Sequence, residues 1–151
     1  MEEIGSMRAI EVTKLAMDGL MMRQKAISAN TANVMTPNYQ RKDVAFEDQL
    51  RNMIQQDNLL KEVKQANSSG ISFSASSLDE VMNQNVFNGF RPEVVTDISK
   101  ANPETGNNVE IEKEMMNMAK TGTQYGILAR LENKLFMNLS SVIKGTTGGG
   151  N

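Results

Sequence analysis

The sequence predicts a mainly α-helical protein. Long N- and C-terminal amphipathic helices should pair as an antiparallel coiled coil, with a shorter middle helix and a loop or short β-hairpin region between them. Three features carry that expectation. At both ends, small and apolar residues recur in alternating steps of three and four, the spacing of one helix face. The middle holds a shorter stretch of similar spacing. After it the chain turns to Ser, Asn and Gly, with brief alternation of apolar and polar residues.

The first seam runs Val12, Leu15, Gly19, Met22, Ala26 and Ala29, then polar Asn33. It predicts one helix over about Glu3 to Val34, with Leu20 and Ile27 beside the seam and widening the face. Pro37 disfavours helix at Thr36 and ends the run. Phe46, Leu50, Met53, Ile54 and Leu60 predict a middle helix over about 44–64, closed by Asn67-Ser68-Ser69-Gly70. Ile71, Phe73 and Ala75 alternate with serines and suit a short strand. Phe87-Asn88-Gly89-Phe90 carries the Asn-Gly sign of a hairpin turn, and Glu93-Val94-Val95-Thr96 suits a further strand.

The second seam is Ile111, Met115, Met118, Gly122, Tyr125, Leu128, Leu131, Leu135, Leu139 and Val142. Asn107 is placed to cap this helix, with Glu110 as its capping-box partner. Glu110, Glu112 and Glu114 fall in the first turns, where the positive end of a helix favours carboxylates. Gly145 is the expected stop. The organisation is therefore an N-terminal helix over 1–36, a middle segment over 37–106, a C-terminal helix over 107–144 and a flexible tail over 145–151. Gly19, Gly122 and Gly126 sit inside the helices, at a cost of about 1 kcal/mol each relative to Ala. Helices so weakened are expected to be marginal alone and ordered by packing into something larger.

Composition narrows the chemistry. The 151 residues carry 16 Lys plus Arg against 18 Asp plus Glu, a net charge of −2 that argues against a nucleic-acid partner. There is no His and no Cys, so Ser–His and Cys–His catalysis and Cys-ligated metal centres are excluded. The acidic start, Met1-Glu2-Glu3-Ile4-Gly5, does not read as a cleaved signal peptide. No cofactor, no metal and no small-molecule substrate is expected.

The most unusual stretch is polar: Ala29-Asn30-Thr31-Ala32-Asn33, then Thr36-Pro37-Asn38-Tyr39. Asn30 and Asn33 share a helix face, and a buried Asn can fix register and partner. Ala29 and Ala32 let a neighbouring backbone approach. Asn38 tolerates positive φ, so a sharp turn is expected there. Glu110 and Glu114 also share a face, and an acid–base or metal pair is conceivable. Acidic residues simply favoured at a helix start are the commoner case. The 12 Met residues, Met17 and Met116 off the seam among them, fit adaptable packing or protein contact surfaces. Gly148-Gly149-Gly150 lacks the Lys-Ser/Thr and following helix of a phosphate loop.

The polar stretch resembles the N-terminal signature of bacterial flagellar rod and hook proteins, Ala-Asn-x-Ala-Asn followed shortly by Thr-Pro-Gly-Tyr, with Asn38 in place of the usual Gly. Gly106-Asn107-Asn108-Val109-Glu110-Ile111-Glu112-Lys113-Glu114-Met115, Gln124-Tyr125 and Leu131-Glu132-Asn133-Lys134-Leu135 resemble the C-terminal helix of the FlgB family of proximal rod proteins. The Ala-x-Arg-x-Tyr-x-Ala pattern of the related FlgC family is missing around Tyr125. The resemblance covers about residues 8–46 and 104–144. It implies a structural subunit, not an enzyme, that joins copies of itself and other rod proteins through its terminal helices. Expected neighbours are the adapter FliE and the membrane-ring and export-gate end of the basal body. The expected location is the periplasmic space, after type III export without a cleaved signal. The residues implied in assembly are Ala29, Asn30, Ala32, Asn33, Thr36, Pro37, Asn38 and Tyr39. The seam residues Val12, Leu15, Met22, Ala26, Met118, Tyr125, Leu128, Leu131, Leu135 and Leu139 belong with them. A type III secretion chaperone or adapter, and a carboxylate-dependent hydrolase, are the alternative classes.

Overall fold

The computed structural model describes residues 2–68, 85–99 and 101–146. Its elements are α1 (Glu2–Ala32), β1 (Lys42–Ala45), α2 (Glu47–Ser68), a single 3₁₀ turn (Val86–Gly89), β2 (Glu93–Thr96) and α3 (Ile111–Thr146). The strand expected over Ile71–Ala75 lies outside the described residues, as does the tail after Thr146. The chain divides into two compact units, residues 1–46 with 92–151, and residues 47–91.

The first unit holds both long helices and the sheet. Asn30, near the end of α1, bonds to Glu114 in the first turns of α3. Arg23, seven residues back, shares a polar cleft with Thr121 and Gln124, seven and ten residues further on. The two helices therefore run antiparallel along each other. β1 and β2 pair antiparallel, with Asp43 opposite Val95 and Ala45 opposite Glu93. Leu20, Ala26, Ile27, Val44 and Phe46 form the buried apolar core of this unit. The Phe46 ring lies where a side chain on Gly19 would be, its carbons 2.6 Å from the position of a Cβ there. Arg23 stacks its guanidinium 4.8 Å from the centre of the same ring. Gly19 is thus a packing residue, and its cost in helix propensity is offset by the seat it gives Phe46.

The second unit is α2 with the 3₁₀ turn. Leu50, Phe87 and Phe90 are buried. The Gln49 side chain clasps the turn, donating to the Gly89 carbonyl at 3.3 Å and accepting from the Arg91 N–H at 3.1 Å. Buried Asp57 pairs with Lys61 one turn on, at 2.9 Å.

Three expectations are corrected. The middle helix starts at Glu47 instead of 44, because Lys42–Ala45 extends as a strand with Val44 inward. Asn88-Gly89 makes no hairpin. Asn85 accepts from the Phe87 N–H at 3.0 Å and starts a 3₁₀ turn that buries Phe87 and Phe90, three residues apart, on one side. β2 instead finds its partner about fifty residues back in β1. Finally, α3 begins at Ile111 and continues past Gly145 to Thr146.

Candidate functional site

The signature stretch folds into a polar junction where the end of α1, the turn after it, β1 and the start of α3 meet. Asn30 is its centre, with 0% of its surface exposed. Its amide nitrogen donates to the Lys42 carbonyl at 2.7 Å and to Glu114 Oε2 at 2.9 Å. Its oxygen accepts from the Lys42 N–H at 2.8 Å and from the Tyr39 hydroxyl at 3.2 Å. Both donors and both lone pairs of the carboxamide are used, so burial leaves none of its polar capacity unpaid. The exchange with Lys42 copies the pair of bonds that a neighbouring strand would make.

Glu114 is equally enclosed, at 0% exposure. Its second oxygen accepts from Arg41 Nε at 2.7 Å. Arg41 is also buried. Its Nη1 reaches Asp43 Oδ2 at 3.1 Å and Asp97 Oδ2 at 3.2 Å, and its backbone N–H donates to Asn108 Oδ1 at 2.6 Å. Burial alone would lower the Arg41 pKa, but the hydrogen bonds and charges of Glu114 and Asp43 outweigh it and raise it. Burial and the Glu114 charge push the Tyr39 hydroxyl above its ordinary range. Asp97 is held below the usual carboxylate value, first by the Ser99 backbone N–H at 2.8 Å and further by Arg41.

Asn107 does not cap α3. Its buried amide donates to the carbonyls of Asn33, Val34 and Thr36, at 2.9, 3.1 and 2.9 Å, and so closes the C-terminal end of α1. Glu110 supplies the first carbonyl of α3, to the Glu114 N–H at 3.0 Å. Asn38 adopts φ +59°, the sharp turn expected of it. Its N–H donates to Thr105 O at 2.8 Å, and its side chain lies where Gly106, at φ +67°, leaves room.

The signature residues thus divide. Asn30 and Tyr39 enter the network, whereas Asn33 bonds locally, to Ala29 O at 2.8 Å and from Thr36 Oγ1 at 3.1 Å. Ala29 is half-buried, and Ala32, Thr36, Pro37 and Asn38 are exposed. On α1, Ala26 is buried, Val12 and Leu15 are half-buried and Met22 is exposed. The deepest face of α1 is Thr13, Leu20 and Ile27, one step round from the expected seam. On α3, Met118, Tyr125, Leu128, Leu135 and Leu139 are half-buried, while Leu131 is exposed. The inward positions near its start are Glu114 and Thr121, not Met115 and Gly122. Val142 lies outside the described side chains. The Glu110 side chain is exposed, and the Glu114 carboxylate is committed instead to Arg41 and Asn30. Arg41, Asp43, Asp97 and Asn108 were not indicated by apolar spacing.

Beyond the junction α3 presents apolar surface to its surroundings. Met115, Met116, Ile127, Leu131, Phe136 and Met137 are all exposed. A Cβ at Gly122 or Gly126 would meet nothing within 4 Å. No helix among the described residues is long and apolar enough to cross a membrane.

No family model matches the chain. It is similar over nearly its whole length to curated bacterial proteins. The flagellar basal body rod protein FlgB of Borreliella burgdorferi is 25% identical over 91% of this chain and 96% of its own length. That of Borrelia hermsii is 28% identical over 90% of this chain and 96% of its own length. That of Bacillus subtilis is 29% identical over 82% of this chain and 84% of its own length. With the signature stretch built into the junction at the end of α1, the chain is thus similar over most of its length to relatives of one name from different bacteria, the flagellar basal body rod proteins FlgB.

Proposed function

We propose that this chain is a structural subunit of the proximal part of the flagellar rod, built in through the faces of α1 and α3 that its own fold leaves uncovered. The carrying observation is the set of large apolar side chains exposed around α3, Ile127, Leu131, Phe136 and Met137, on a chain whose relatives are rod proteins. Exposed Met7, Met21 and Met22 on α1 extend the same adaptable surface. In this reading neighbouring subunits pack their terminal helices side by side into a hollow shaft that carries torque and lets export substrates pass. Other rod proteins, copies of the chain, FliE and the export-gate end are its neighbours, in the periplasmic space after export without a cleaved signal. The turn at Thr36-Pro37-Asn38-Tyr39 leads the chain out to the middle segment.

The test is deletion of the gene in its flagellated host, with electron microscopy of basal bodies. Rings without a rod are expected, restored by the intact chain but not by Leu131→Asp. Leu131 is exposed, so that variant should keep the thermal midpoint of the soluble protein. Normal rods in the deletion strain would overturn the reading, and normal rods built from Leu131→Asp would remove α3 from the interface.

A further inference from the structure

We propose that the Arg41–Glu114 ion pair, joined by Asn30, selects the register in which α1 and α3 lie against each other. The apolar rows of α3 cannot do this. Its inward positions repeat every seven residues: Glu114, Thr121, Leu128 and Leu135 in one row, Met118, Tyr125, Glu132 and Leu139 in the other. Sliding α3 by one heptad puts Leu135 where Leu128 was and Tyr125 where Met118 was. At these two places apolar side chains replace apolar ones, and flexible Met adapts to either; Glu132 moves to the half-buried place of Tyr125, in a row that already carries this half-buried carboxylate in the native register.

The polar positions change completely. The slide brings uncharged Thr121 to the place of Glu114. Arg41 then loses the carboxylate 2.7 Å from its Nε, and the Asn30 amide loses its partner at 2.9 Å. Arg41 is fixed independently of α3, through Asp43 at 3.1 Å and through the bond from the Asp97 N–H to its own carbonyl at 2.8 Å. Asn30 is fixed through Lys42. The receiving half is therefore built by α1 and the sheet, and it accepts only the helix position that delivers a carboxylate. A single polar site that rejects alternative alignments of an otherwise permissive apolar seam is the best-attested use of buried polar groups. The inference concerns the chain alone and does not depend on the rod reading.

The test uses the apolar double variant Arg41→Met/Glu114→Met, which removes both charges together and leaves neither stranded. The chain has no Cys, so Lys14→Cys and Lys120→Cys, both exposed and offset along the helix pair, place two spin labels without background. Labelled full-length protein is diluted with unlabelled protein, and distances are read by double electron–electron resonance. With the native pair, one narrow distance is expected. In the double variant, at unchanged helix content by circular dichroism, the expected result is a second population displaced by about 10 Å, one heptad of helix rise. The same single narrow distance in the double variant would overturn the proposal. A double variant that lost its helix content would overturn it too, since the pair would then be needed for folding itself. Glu114→Gln alone, which keeps the shape and hydrogen bonds but removes the charge, is expected to broaden the distribution less than the double variant.

Discussion

The two parts of α3 obey different rules. One face of its first turns is enclosed by the chain itself: Glu114 is sealed between Arg41 and Asn30. The remainder, from Gly122 on, holds glycines with empty space beside them and keeps large side chains such as Phe136 and Met137 in the open. The first part spends polar groups to fix one arrangement within the molecule. The second offers apolar area that the molecule does not use. A subunit needs both, because a face can be recognised reproducibly only if the helix presenting it is held in one position.

The strongest way to break this contrast is to strand the buried charge. Arg41→Ala leaves Glu114 enclosed without a counter-charge, and breaking a buried pair in this way costs about 3–5 kcal/mol. Urea denaturation of the soluble chain should show a loss of that size, and a loss below 1 kcal/mol would mean that Glu114 reaches water.

Glycines sharpen the contrast at intermediate cost. Gly19→Ala drives a methyl group into the Phe46 ring, and overpacking of this kind costs about 1–3 kcal/mol. Gly126→Ala meets nothing and should gain the usual helix preference of Ala, about 0.5–1 kcal/mol. The signs should therefore be opposite in the isolated chain. If the open side of α3 is an interface, Gly126→Ala should reduce motility of the host while raising the thermal midpoint. Equal effects of the two substitutions on stability would erase the distinction between a helix face packed within the chain and one left open.

The smallest effect concerns acid. The native state holds the Asp97 carboxyl below its unfolded value, so its contribution is present above the ordinary carboxylate range and is lost as pH falls through the lowered native value. Asp97→Asn should cost less than about 1 kcal/mol at neutral pH, since Asp97 is partly solvated. It should also flatten the decline in stability at acid pH. A variant as acid-sensitive as the parent chain would assign that decline to other carboxylates.

Much of the fold could be read in advance because it rests on repetition. Both long helices announce themselves through apolar spacing, and their observed ends lie within a few residues of the expected ones. The turn at Asn38 was legible because few residue types accept that backbone. The network was not, because spacing was counted in apolar residues. That count set the seam of α3 on Met115, which is 66% exposed, and passed over Glu114 beside it. The seven-residue interval from Glu114 through Thr121 to Leu128 was present in the sequence but hidden by its polar members. β1 was missed because four residues with one inward valine leave little trace beside a helical pattern. Asn107 was misplaced because the sequence shows a good capping residue, but not which helix end it will face.

The carboxamide of Asn30 has a further effect on how such a chain can associate. By answering both backbone groups of Lys42, and with Arg23 answering the Val44 carbonyl at 2.6 Å, α1 occupies the rim of β1 that faces away from β2. An unprotected rim of this kind is where strands of different molecules stack without limit. On the proposed reading, in which copies pack side by side, such a chain has particular reason to block that route. Its side chains leave strand addition on that rim no vacancy, so growth is channelled into the ordered contacts of helices rather than into fibrous aggregates.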